Sequence, residues 1–172
     1  MVLVNAIVTL PLVHAERAAL VRRRRDSACA ELWNALDAVK DPEIPVLSLY
    51  DLGVLRDIRR AADGVTVVLS PTYSGCPAME TMEADVRRQL LAAGVRQVVI
   101  ERALSPPWTT DWMDARARLA LKDYGIAPPD TVCCPQCGSH DASVVSDFGS
   151  TACKALYRCN ACLEPFDHFK PL

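Results

Sequence analysis

Histidine is scarce. The 172 residues hold three, His14, His140 and His168, and none falls within the stretch that reads as the core of the first domain. A thiol or hydroxyl nucleophile wants an imidazole base, so this shortage weighs against nucleophilic catalysis. No apolar run approaches the ~20 residues of a membrane span. The formal net charge is -2, too near neutral for a dominant nucleic-acid surface. There is no Gly-x-Gly-x-x-Gly, no phosphate loop closing in Gly-Lys-Ser/Thr, and no serine elbow, which excludes a doubly wound dinucleotide fold. The apolar start, Met1 to Val13, precedes Arg22-Arg23-Arg24-Arg25; a secretory signal has its positive charge first. Residues 1–25 are therefore expected to be an extension without fixed structure, with the four arginines as a solvated tract.

What is present is apolar residues and cysteine. Half the chain is hydrophobic, enough for a real core, and six of the eight cysteines follow Thr131. Such crowding marks a local metal site in a reducing cytosol, and not a disulfide framework, so a cytoplasmic protein is expected.

The chain is organised around Ser70-Pro71-Thr72-Tyr73-Ser74-Gly75-Cys76-Pro77-Ala78-Met79. The β-rich run Val65 to Leu69 leads in and a helical pattern follows. Pro77 suits the first helical position, which would put Cys76 at the N-cap, facing free N–H groups and the positive end of the helix dipole. That setting favours thiolate, the form that attacks electrophiles or binds metal. Gly75 lets a partner approach the sulfur. A small buried apolar cysteine is the alternative reading.

Asp26 to Lys40 reads as a helix with Leu32, Leu36 and Val39 at helical spacing, capped by Asp26 or Ser27 and stopped by Pro42. Asp41-Pro42-Glu43-Ile44-Pro45-Val46 must be a loop and carries two carboxylates. Leu52 to Arg59 and Val65 to Ser70 are strands joined by a turn at Ala62-Asp63-Gly64. Ala78 to Ala93 is a helix with Met79, Met82, Val86 and Leu90 as its core stripe. Val95 to Arg102 is a third strand. Beyond Pro106-Pro107-Trp108 a last helix, capped by Thr109, Thr110 or Asp111, runs to about Tyr124, with Trp108 and Trp112 packing it onto the domain. The order implies an α+β fold, a small three-stranded sheet with helices on one face, over residues 26–126.

Residues 127–172 read as a linker and a metal-binding tail. Cys134-Pro135-Gln136-Cys137 and Cys159-Asn160-Ala161-Cys162 can each form a knuckle, and four thiolates close a tetrahedral site. Ser143 to Asp147 and Ala155 to Arg158 supply strands, and the metal must provide much of the folding energy. Zinc suits four closed thiolates best; a single iron or an Fe–S cluster uses the same ligands. Cys133 is a spare beside a ligand. Cys153 reads as a loop thiol whose pKa Lys154 could depress, and His140 and His168 as structural or solvent-facing.

Asp41 to Ser48 with Ser70 to Pro77 resembles the small domain of SufT-like iron–sulfur assembly proteins. The tail motifs Cys134-Pro-x-Cys-Gly, Phe148-Gly-Ser-Thr-x-Cys-Lys-Ala and Cys159-x-x-Cys-x-Glu-Pro-Phe, together with Pro106-Pro107-Trp108-Thr109 and Tyr124 to Pro129, resemble the PaaD family. These are accessory proteins of the bacterial phenylacetyl-CoA epoxidase system, which adds oxygen to the ring of phenylacetyl-CoA. The resemblance covers about Glu31 to Lys170. It implies a non-catalytic factor that matures or maintains the oxygenase's metal centres, with the di-iron oxygenase and its Fe–S reductase as partners. It also makes Cys76 the functional thiol, a transient metal or cluster ligand, with Asp41 and Glu43 in the same motif set. Asp41 and Glu43 read as oxygen ligands or as charges tuning a nearby thiol, and equally as loop caps, with Asp41 closing the first helix; Cys153 reads as a further helper. A structural docking role within the oxygenase and, less favoured, a thiol-dependent enzyme using Cys76 remain as alternatives, and both monomer and homodimer stay open.

Overall fold

The computed structural model describes residues 15–172; the apolar stretch Met1 to Val13 lies outside the described residues. In chain order the elements are α1 (Ala15–Arg25), α2 (Ala30–Leu36), β1 (Leu55–Ala61), β2 (Gly64–Leu69), α3 (Met79–Ala92) and β3 (Val98–Arg102). A 3-10 turn (Thr110–Trp112) follows, then α4 (Ala115–Asp123), β4 (Ile126–Ala127), β5 (Ala142–Ser146), β6 (Lys154–Cys159) and β7 (Pro165–Phe169).

The fold is α+β, as the sequence indicates. β1 and β2 form an antiparallel hairpin, and β3 joins β2 in parallel, so α3 is the crossover between them. Alternation along β2 buries Val65, Val67 and Leu69 on one face. The i, i+3, i+4 spacing along α3 buries Met79, Met82, Val86 and Leu90. Gly64 is required by proximity: a Cβ there would lie 1.9 Å from the Gln97 carbonyl oxygen.

The N-terminal expectation needs correction. Ala15–Arg25 is a helix, not an unstructured extension, and its Leu20 is fully buried. Its arginines are only partly a solvated tract. Arg17 donates to the Tyr50 carbonyl at 2.7 Å and pairs with Asp114 at 2.9 Å, and Arg24 pairs with Asp37 at 2.6 Å. The Arg17 and Arg24 guanidiniums stack on the Tyr50 ring at 4.5 and 4.4 Å. Planar guanidinium on an aromatic face, with its stem laid along apolar surface, makes arginine a packing residue here.

Two further helices differ from expectation. α2 starts at Ala30 because Ser27 accepts a hydrogen bond from the Cys29 N–H in a separate local turn, 3.0 Å, so neither Asp26 nor Ser27 is the cap. The expected helix from Thr109 to Tyr124 is broken at Met113 and Asp114, whose backbones are extended. Asp114 then caps α4 by accepting from the Ala117 N–H at 2.7 Å. Trp108 and Trp112 are buried, and Trp108 Nε1 donates to the Leu52 carbonyl at 3.1 Å.

The second sheet has the order β4-β7-β6-β5. Ile126 is buried in the larger core and Ala127 in the smaller one around Cys134, Cys159 and Phe166. The two cores interlock further along, because Phe169 and Cys153 of the tail belong to the larger core, with Phe169 6.1 Å from the Trp108 ring. Among the described residues no helix is long and apolar enough to cross a membrane.

Candidate metal centre and thiol cleft

The two knuckles meet. The sulfurs of Cys134, Cys137, Cys159 and Cys162 all lie within 4.8 Å of one another. Cys134 and Cys162 are 3.6 Å apart, Cys137 and Cys159 3.5 Å. A tetrahedral ion with Zn–S bonds of about 2.3 Å needs sulfurs about 3.8 Å apart, so one ion fits at their centre with little adjustment. Gly138, at φ +76°, makes the turn that closes the first knuckle, donating to the Cys134 carbonyl at 2.9 Å. In the second, the Cys162 N–H points at Cys159 Sγ at 3.4 Å and is the main cause of holding that thiol at about 6. N–H groups aimed at sulfur favour the thiolate a metal needs. Cys133 stands outside the quartet and donates toward the Gly138 carbonyl at 3.4 Å. His140 sits 3.1 Å from the Val132 carbonyl, and His168 is buried edge-on against Tyr157.

A second cluster forms where the α+β domain meets the tail. Cys76 lies in the loop between β2 and α3. It is not the N-cap; Ala78 holds that position, so the dipole end of the helix begins beyond the thiol. Burial raises the Cys76 thiol above its ordinary 9.0. The Ala78 N–H opposes this, and the charges of Glu43, Asp41 and Cys153 reinforce it. The expected thiolate preference is therefore reversed: burial is the larger cause, and the charges of Glu43 and Asp41, from a loop far earlier in the chain, add to it. Around Gly75 the only atoms near an added Cβ are those of the Tyr73 ring, the closest at 3.6 Å, which leaves that approach open.

Asp41 is buried, and its Oδ1 accepts from the Glu43 and Ile44 N–H groups at 2.9 Å each, so it does cap the acidic loop. Burial nevertheless raises its pKa, and the same cause, followed by Asp41, raises that of Glu43.

Cys153 is 6% exposed, not a mobile loop thiol. Burial pushes it up, and the charge of Lys154 is too weak to reverse that, contrary to expectation. Thr151 links the groups. Its hydroxyl lies 3.1 Å from Cys153 Sγ, and its influence lowers the Glu43 carboxyl against the burial that raises it. Lys154, also buried, acts on Asp41 and Glu43 and sits 3.5 Å from Asp167. In the sequence Thr151 stands only as part of the Phe148-Gly-Ser-Thr-x-Cys-Lys-Ala motif, with no role of its own assigned.

Comparison with known proteins agrees with this two-part architecture. Residues 30–100 match the Iron-sulfur cluster assembly protein family, and residues 122–170 match the PaaD zinc beta ribbon domain. The chain is 45% identical over 150 residues to a protein of Escherichia coli (strain K12) named as one of the subunits of 1,2-phenylacetyl-CoA epoxidase, covering 81% of this chain and 91% of that one. It is 41% identical over 93 residues to an Fe-S protein maturation auxiliary factor of Porphyromonas gingivalis, covering 53% of this chain and 88% of the relative. A Bacillus subtilis factor of the same description is 32% identical over 92 residues, covering 52% and 89%. The shorter relatives thus correspond to about half the chain, and the longer one to most of it. Cluster-assembly domain followed by four-cysteine ribbon, matched along most of its length, places this chain in the PaaD family.

Proposed function

We propose that the protein is a non-catalytic accessory factor that matures or maintains the metal centres of a phenylacetyl-CoA epoxidase in the cytoplasm. Cys76 is its working thiol, and the ribbon quartet is a structural zinc site. The observation that carries this reading is the separation of the two thiol groups. β6 has Cys153 just before its first residue and Cys159 at its last, which sets them about 20 Å apart along the strand. The ribbon sulfurs are closed around one point, as a permanent ion requires, and zinc would supply folding energy there. Cys76 is half-buried beside carboxylates, as an exchangeable ligand requires. Residues 30–100, which hold Cys76, match the cluster-assembly family, and relatives named as Fe-S maturation auxiliary factors cover about half the chain, which supports a cluster-related role for Cys76.

Catalysis by Cys76 is disfavoured by its surroundings. Burial, with the charges of Glu43 and Asp41, holds it protonated, and no imidazole is among the groups that act on it. Epoxidase subunits produced with the wild-type protein should carry full iron and acid-labile sulfide and be active. With Cys76→Ser, iron or sulfide in the di-iron oxygenase or the reductase should fall several-fold, with the accessory protein still folded and zinc-loaded. Full epoxidase metal content and activity with Cys76→Ser would favour a docking role instead.

A further inference from the structure

Resting on the reading of the ribbon quartet as a zinc site, we propose that the quartet is a metal-dependent latch on the α+β domain. While it holds its ion, the β6–β7 hairpin keeps Cys153, Phe169 and Leu172 seated on that domain. Loss of the ion releases them and uncovers the face around Trp108, with the domain itself still folded.

The hairpin has two working ends. Cys159 ends β6, and Cys162 lies in the turn that leads to β7. At the opposite end Lys154 pairs with Phe169. Five residues of strand, roughly 17 Å, separate the two ends. The knuckle end belongs to the smaller core, with Cys134, Cys159 and Phe166. The far end does not: Cys153 and Phe169 are buried in the core of the α+β domain. β7 and β6 are the two central strands of their sheet, paired on both sides, so the hairpin moves as a unit.

The seat on the domain is specific. The Phe169 ring lies 6.1 Å from that of Trp108, whose Nε1 donates to the Leu52 carbonyl at 3.1 Å. The Lys170 N–H donates to the Cys153 carbonyl at 2.9 Å, and the Thr110 N–H donates to the Leu172 carbonyl at 3.1 Å. β4 adds a second crossing, since Ile126 is buried in the domain core and pairs with Asp167 of β7. Cys76 packs against this same core, so release of the tail reaches the surroundings of the working thiol.

The two sides differ in how much they depend on the ion. The ribbon's own buried core is Ala127, Cys134, Cys159 and Phe166, and two of these are ligands. A core this small does not hold a sheet together without metal. The α+β core is far larger. About half of this chain covers 88% and 89% of the two relatives named as Fe-S maturation auxiliary factors, which leaves no room in them for a ribbon. A domain of this kind therefore stands without a tail, and the tail is the part that lets go. Coupling of this sort is reciprocal: loosening the seat must weaken the ion by the same factor.

The test uses the full zinc-loaded chain without oxygen, with zinc per chain counted first. Zinc is withdrawn with EDTA, and iodoacetamide labelling is read by peptide mapping at Cys153 and Cys29. Cys29 is 2% exposed in the α+β core and reports whether that core stays closed. Once zinc is gone, Cys153 should label about tenfold faster or more, with Cys29 still protected. Cys153 equally protected without zinc would overturn the latch. So would Cys29 opening together with Cys153, because the ion would then hold the whole fold. Phe169 lies outside the ribbon core, yet Phe169→Ala should weaken zinc about tenfold or more in competition with a chelator. Unchanged zinc affinity with Cys29 protected would also overturn the latch; if that variant opens Cys29, the wild-type labelling decides. A chain that binds no zinc is a separate failure, seen in the initial count, and removes the zinc reading and the latch together.

Discussion

Cys76 of the α+β domain and Cys153 of the ribbon are both raised by burial and by the charges of the same two carboxylates, Glu43 and Asp41. Their resting chemistry follows from burial and like charge, since both disfavour a thiolate.

Cys76 should therefore be a slow thiol without metal. Its alkylation by iodoacetamide, followed by peptide mapping, should keep accelerating above pH 9, because the raised pKa lowers the thiolate fraction at every pH below it. Glu43→Gln removes one opposing charge and should speed the reaction at pH 8 several-fold. A profile that levels off below pH 8 would contradict the placement of the carboxylates.

Asp41 should separate its capping role from its charge. Asp41→Ala leaves the Glu43 and Ile44 N–H groups without their acceptor and should cost about 1–3 kcal/mol in urea unfolding. Asp41→Asn keeps an acceptor oxygen and should cost less. The sign of the pH dependence follows from the raised folded pKa. The folded state holds the Asp41 proton more tightly, so its contribution is present below the unfolded value of 3.8 and is lost as pH rises through the folded value. Asp41→Asn should flatten that slope.

Docking of α1 is tested by Leu20→Ala. The side chain is fully buried, so truncation should cost about 2–5 kcal/mol. An unchanged urea midpoint would mean that the helix does not pack.

Gly53 holds φ +79°, and a Cβ there would come 2.8 Å from both Cβ and the carbonyl oxygen of Trp112. Gly53→Ala should cost about 2–4 kcal/mol from strain and overpacking, read as a lowered melting temperature. Trp112 in turn stacks on Arg56 at 3.5 Å, so the damage should reach the β1 edge.

Local signals were legible and distant ones were not. The Met79, Met82, Val86, Leu90 stripe and the Val65, Val67, Leu69 alternation follow from period alone, and the ribbon quartet from Cys-x-x-Cys spacing. α1 was hidden because one of its two buried residues is Arg17, whose burial depends on Tyr50, Trp112 and Asp114 far along the chain. β7 was hidden because Pro165-Phe166-Asp167-His168-Phe169 is short and mixes a proline with polar residues; pairing with β6 and β4 makes it a strand. The burial of Cys153 and the raised pKa of Cys76 are tertiary facts, set by which loops meet.

The division of labour between the two thiol groups is the central claim. Protein purified without oxygen as wild type, Cys76→Ser and Cys134→Ser should be assayed for zinc, iron and acid-labile sulfide per chain. The account predicts about one zinc that is lost with Cys134→Ser and kept with Cys76→Ser, and iron or sulfide that disappears with Cys76→Ser while zinc stays. Iron and sulfide that follow Cys134 and ignore Cys76 would contradict it, because the ribbon would then hold the working cluster.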